Sequence, residues 1–133
     1  MNPRHRHLLD TDVAIELLRK RDVALREAWR AAGRVAASSV SLFELRFGAA
    51  RSAEPARNDL AVDELAAAVD FLDFDAEAAA HAGDIRADLA RLGTPIGAYD
   101  VMIAGHARSR GLIVVTRNER EFRRVDGLRV ERW

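Results

Sequence analysis

Short apolar runs alternate along the chain with longer segments in which apolar residues recur every three or four positions. The first run, residues 5–9, predicts a strand that stops at Asp10. Val13, Ala14, Leu17 and Leu18 then share one face, which predicts a helix capped by Thr11 or Asp12 and broken by the polar residues 19–22. A second helix is expected from Asp22 or Val23 to Ala32, closed by Gly33. Residues 35–37 predict a second strand and residues 38–48 a helix with Val40, Phe43 and Phe47 on one face. Phe43 and Phe47, with Leu60 and Leu65 on the next helix, residues 57–68, are open to contacts with another chain, and core packing is the expected use of most of them.

Residues 69–74 read as a third strand, and Asp75 caps a long helix over residues 76–92 that ends at Gly93. Residues 96–108 form a helix rich in small residues (Ala98, Ala104, Gly105, Ala107), followed by a strand at 112–116. A turn at residues 117–124 leads to an edge strand at 128–131. Strands that alternate with helices predict an α/β fold. The expected architecture is a three-layer α/β/α sandwich with a mainly parallel central sheet of four to five strands. Residues 1–133 read as one domain, with no linker to divide them.

Composition narrows the partners. The 21 acidic residues balance the 21 basic ones, so nucleic acid binding needs a local patch, not a global field. The basic residues are arginines except Lys20, and arginine suits phosphate. The absence of cysteine excludes disulfides and thiolate zinc sites. No apolar run spans a bilayer, and the basic residues 1–7 lack a following apolar signal core. A cytoplasmic protein with no membrane partner is expected.

Placing the acids on this outline suggests chemistry. Asp10 follows the first strand, Glu44 lies early in the helix after the second, and Asn118, Glu119 and Glu121 follow the fourth. Strand ends of a parallel sheet form its ligand crevice. Asp100, in the first turn of its helix, joins them if that helix runs antiparallel to the next strand, as the short connection through Gly111 requires. Two charges about 4 Å apart cost roughly 4 kcal/mol at the effective dielectric of a protein surface. A divalent cation or a protonated acid makes such a pocket tolerable. Oxygen-only donors point to Mg2+, with Mn2+ possible, and such a cation can activate a water for phosphodiester hydrolysis. Each acid also has a simpler role open to it. Glu44 fits a capping box with Ser41, Asp10 and Asp12 fit turn or cap positions, and Asp100 fits a helix dipole. The metal role is favoured because the acids sit inside apolar sequence.

At these residues the chain resembles the PIN-domain family, and within it the VapC-type toxins of toxin–antitoxin pairs. The matching stretches are residues 8–13 (LLDTDV), 37–45 (ASSVSLFEL), 93–104 (GTPIGAYDVMIA), 114–118 (VVTRN), Glu121-Phe122 and 127–133 (GLRVERW). The resemblance implies a Mg2+-dependent endoribonuclease toxin that cleaves RNA phosphodiester bonds with a metal-activated water held by Asp10, Glu44 and Asp100. It implies Asp10 and Asp100 as metal ligands, Glu44 completing the acidic group, and Thr11 and Thr116 as hydroxyls that hold the acids. Asp12 falls where the family often has asparagine, which implies a supporting position. A cognate VapB-type antitoxin and a homodimer are also implied. In many family members a fourth acid stands where this chain has Asn118; Glu121 matches an acid of the toxin subgroup and is expected to serve instead. Arg117 and Arg120, with Arg123 and Arg124, follow the strand end that faces the acids and are expected to hold the RNA backbone. His81 and His106 have no second histidine at ligand spacing and read as packing or surface residues.

Two other readings bear weighing. A PIN-fold binding module with weak or no turnover is compatible with Asn118. A phosphoacceptor signalling domain needs a lysine after a late strand, and Lys20 lies in an early helix.

Overall fold

The computed structural model describes residues 5–133; residues 1–4 of the basic opening segment lie outside them. Five strands form one sheet: β1 (His7–Leu9), β2 (Ala36–Ser38), β3 (Asp70–Leu72), β4 (Ile113–Val115) and β5 (Val130–Glu131). Their order is β3-β2-β1-β4-β5, and every pairing is parallel. The helices are α1 (Thr11–Arg19), α2 (Val23–Ala32), α3 (Ser39–Arg51), α4 (Pro55–Ala68), α5 (Ala76–Arg91), α6 (Ala98–Arg110) and α7 (Glu119–Phe122).

Strand periodicity builds the three layers. Successive residues of a strand point to opposite faces. Leu8, Ala36 and Val114 pack with Ile85, Leu89, Ile103, Ala104 and Phe122 from α5, α6 and α7. Their neighbours Leu9, Ala37 and Val115 pack with Val13, Leu17, Leu25, Leu45, Val62 and Leu65 from α1 to α4. Both faces are thus covered by helices, as an all-parallel sheet requires.

The small residues of α6 permit close helix packing. A Cβ at Gly105 would stand 2.5 Å from the backbone nitrogen of Ala82 on α5, so only glycine allows this approach. Gly111 ends α6 at φ 66° and turns the chain at once into β4. That short return carries the first turn of α6 back towards the carboxyl edge of the sheet.

Several sequence expectations shift. Asp10 itself caps α1, accepting from the Val13 N–H at 2.9 Å, so neither Thr11 nor Asp12 is the cap. Ser38 caps α3, which places Ser41 inside the helix and removes the capping box proposed for Ser41 and Glu44. Helix α4 starts earlier than expected, because Pro55 fits the first helical position, where no N–H is needed. The turn after β4 contains the short helix α7. Phe43 and Phe47 are not core residues: they are 53% and 54% exposed, and Leu60 is exposed too, whereas Leu65 is buried. Among the described residues no helix is long and apolar enough to cross a membrane.

Candidate acidic active site

The register Leu9↔Ala37 and Leu9↔Val115 brings Asp10, Ser38 and Thr116 to one edge of the sheet. Asp10 is buried there and held from two sides. Its Oδ1 accepts from Val13 N–H at 2.9 Å and its Oδ2 from the Thr116 hydroxyl at 2.5 Å. The Thr116 oxygen in turn accepts from Asn118 N–H at 2.9 Å, which fixes the direction of its own proton. Burial pushes the Asp10 carboxyl up to about 6; the bonds from Thr116 and Val13 oppose this, and Asp12 and Glu44 add to it.

Glu44 projects from the second turn of α3 and accepts from the Thr11 hydroxyl at 2.6 Å. The buried Ser41 hydroxyl lies 2.8 Å from the same Thr11 oxygen. Asp100 sits in the first turn of α6, and a Cβ at Gly97 would stand 3.3 Å from its Oδ2. Burial pushes Asp100 up to about 6, and repulsion from Asp10, Glu121, Asp12 and Glu44 adds to the shift. Among the described residues, no hydrogen-bond donor reaches the Asp100 carboxylate to relieve it. Four acids, from the β1–α1 segment, α3 and α7, are therefore within electrostatic reach of Asp100. No three of these acids are set at metal-ligand spacing among the described residues.

The expected supporting residues divide. Thr11 holds Glu44 and Thr116 holds Asp10. Asp12 is exposed and acts on Asp10 and Asp100 through charge alone. The Asn118 side chain donates to Glu121 Oε2 at 2.8 Å, so the residue at the missing acid steadies the neighbouring one.

The arginines expected to hold RNA differ in their partners. Arg117 is ion-paired with Asp22, whose other oxygen caps α2 through Leu25 N–H at 2.9 Å. Its guanidinium therefore ties the β4 loop to the α1–α2 connection. Arg123 pairs with Glu119 at 2.7 Å, and Arg124 donates to the Pro95 carbonyl at 3.0 Å. Arg120 is exposed and makes no ion pair among the described residues. Arg46 bridges Asp59 and Asp63 on α4.

Sequence reasoning missed two features, the Ser41 contact and the aromatic patch, whereas His106 takes the packing role that was one of the two expected for it. Ser41 reads as a cap, yet it bonds across to α1. His106 is buried, with Nδ1 2.8 Å from Ser38 Oγ and its ring edge-on to Phe74; burial lowers its pKa first, and Arg110 lowers it further. Phe43, Phe47 and Tyr99 form an exposed aromatic patch beside Glu44 and Asp100, with ring centroids 6.5 and 5.8 Å apart.

An all-parallel sheet of this order, with acids gathered at its carboxyl edge, defines a PIN-domain protein: the PIN domain family model matches residues 7–128. The chain is 50% identical over 127 residues to the tRNA(fMet)-specific endonuclease VapC of Shigella flexneri, covering 95% of this chain and 96% of that one. It is 39% identical over 129 residues to Ribonuclease VapC2 of Haemophilus influenzae, covering 96% and 98%. The fold superposes on the crystal structure of DNA-bound VapBC from Salmonella typhimurium with a TM-score of 0.92 at 46% identity, covering 96% and 98%. It also matches VapBC2 from Rickettsia felis, bound to a promoter DNA fragment, with a TM-score of 0.88 at 28% identity, covering 96% and 98%. The chain belongs to the PIN-domain family, in its VapC branch.

Proposed function

We propose that this chain is a Mg2+-dependent endoribonuclease toxin, restrained by a VapB-type antitoxin. The observation that carries the reading is the pair of carboxyls, Asp10 and Asp100, both pushed up to about 6, first by burial and then by neighbouring acids: Asp12 and Glu44 for Asp10, and Asp10, Glu121, Asp12 and Glu44 for Asp100. Such a pocket lacks positive charge, which a divalent cation would supply. The donors are oxygens only, which suits Mg2+ or Mn2+ over zinc. When bound, the cation supplies Lewis acidity towards a phosphodiester and its attacking water.

The chain's own residues do the rest. Asp10 and Asp100 hold the cation, Glu44 completes the acidic group, and Glu121, steadied by Asn118, takes the fourth acidic position. Thr116 orients Asp10, Thr11 orients Glu44, and Asp12 adds negative charge from the rim. Arg120 holds an RNA phosphate; Arg117, committed to Asp22, is left out of that role. Because Asn118 supports Glu121, its presence favours a working nuclease over a binding module without turnover.

The relatives' names point to the substrate. Two of them, 50% and 47% identical, are called tRNA(fMet)-specific endonucleases, so initiator tRNA is the proposed target. The VapBC neighbours support an antitoxin partner. The proposed homodimer would seat a second copy on Phe43, Phe47 and Tyr99, which otherwise leave three large rings in water. The test compares the purified chain with Asp100→Asn on initiator and elongator tRNA, with and without Mg2+. Cleavage of initiator tRNA by the parent chain alone, and only with Mg2+, is expected. Equal cleavage by both proteins would contradict the assignment.

A further inference from the structure

Three side chains from two helices form a directed chain of hydroxyls. Thr11 opens α1; Ser41 and Glu44 lie one turn apart on α3. Residues three apart on a helix share a face, so both reach one atom, the Thr11 oxygen. The single Thr11 proton is donated to Glu44 Oε1, 2.6 Å away. The Thr11 oxygen then has lone pairs left, and the Ser41 hydroxyl at 2.8 Å must be the donor. The direction is Ser41 to Thr11 to Glu44. Ser41 is fully buried and Thr11 is buried, so the bond between them is shielded from water, while the Thr11–Glu44 bond is part-buried.

The same construction recurs across the pocket. There, Asn118 N–H donates to Thr116, and Thr116 donates to Asp10. In each case a threonine hydroxyl faces a carboxylate while a fixed donor occupies its oxygen. Threonine in a helix divides between two side-chain rotamers. A donor on its oxygen selects one of them and so sets where the carboxylate rests.

We propose that Ser41 is a positioning residue for Glu44, acting through Thr11; this rests on the nuclease reading above. Ser41 selects the Thr11 rotamer that holds the Glu44 carboxylate towards Asp10 and Asp100. It neither caps α3 nor touches the RNA.

The test is a double-mutant cycle on the full chain with Ser41→Ala, Thr11→Val and the pair. Three quantities are read: kcat and KM on RNA with Mg2+, Mn2+ affinity by calorimetry, and melting temperature. Ser41→Ala should lower kcat about 3- to 10-fold, the size of one hydroxyl hydrogen bond, and leave KM unchanged. Thr11→Val should lower it about 10- to 100-fold. The pair should match Thr11→Val alone, and Mn2+ affinity should follow the same pattern. Glu44→Gln provides a second background, in which Ser41→Ala should again add nothing. Losses that multiply, or a Ser41→Ala protein with unchanged kcat and Mn2+ affinity, overturn the proposal. A parent chain that binds Mn2+ but cuts no RNA overturns the nuclease reading instead, and the Mn2+ isotherms then decide the relay.

Discussion

Thr116 shows how much one hydroxyl carries. It stands between Asn118 N–H and Asp10, and its bond is the largest effect opposing the upward shift of Asp10. Thr116→Val keeps the volume and removes the donor. We expect kcat to fall about 10- to 100-fold, and the metal-free Asp10 carboxyl, followed by NMR titration, to move above its present value of about 6. The arginines give a contrast. Arg117→Ala should cost up to about 1 kcal/mol of stability, the usual range for a partly exposed pair, with KM for RNA unchanged. Arg120→Ala should raise KM and leave the urea midpoint in place. At this scale the sequence exposed residues whose setting was local. Asp10 after an apolar strand and Asp100 in a helix's first turn were visible. The Arg117 partner was not, because Asp22 is 95 residues away. The place of Ser41 was left open because Ser-x-x-Glu fits a helix cap as well as a position inside the helix, and only the fold decides which.

The elements were legible where pattern and punctuation agree. Gly33, Asp75 and Gly93 marked helix ends as expected, and the apolar doublets of β1 and β4 marked buried strands. The periodicity of α3 misled, because spacing shows which residues share a face but not what that face meets. Val40 went inward, while Phe43 and Phe47 were left in solvent. Phe43→Ser with Phe47→Ser should therefore convert the proposed dimer to monomer in sedimentation experiments without lowering the urea midpoint. The α5–α6 contact makes the opposite demand. At Gly105 the obstructing atoms are backbone and Cβ of Ala82, which cannot swing aside. Gly105→Ala should cost about 1–3 kcal/mol in urea unfolding, the range for overpacking a tight interface.

The molecule as a whole is formally neutral, yet Asp10, Asp12, Glu44 and Glu121 all act on Asp100 at one sheet edge. The consequence for stability has a definite sign. Asp10 and Asp100 are raised from 3.8 to about 6 in the folded chain. Between those values the metal-free native state binds more protons than the unfolded state, so stability falls as pH rises. The decline should run through about pH 6, where both carboxyls are half ionised, and be complete about one unit higher. The carboxylates with lowered values, Glu16, Asp22, Asp70 and Asp75, act in the opposite sense and at lower pH, where they become protonated. A melting temperature that drops across that window without metal is the expected result.

The central claim is that Asp10, Glu44 and Asp100 share a cation, and Mg2+-dependent melting at pH 7 tests it most directly. Without metal, Asp100→Asn should melt above the parent chain, because one of the mutually repelling charges is gone. Mg2+ should then raise the melting temperature of the parent chain and leave Asp100→Asn nearly unmoved. A parent chain indifferent to Mg2+, or an equal rise in both proteins, would contradict the account.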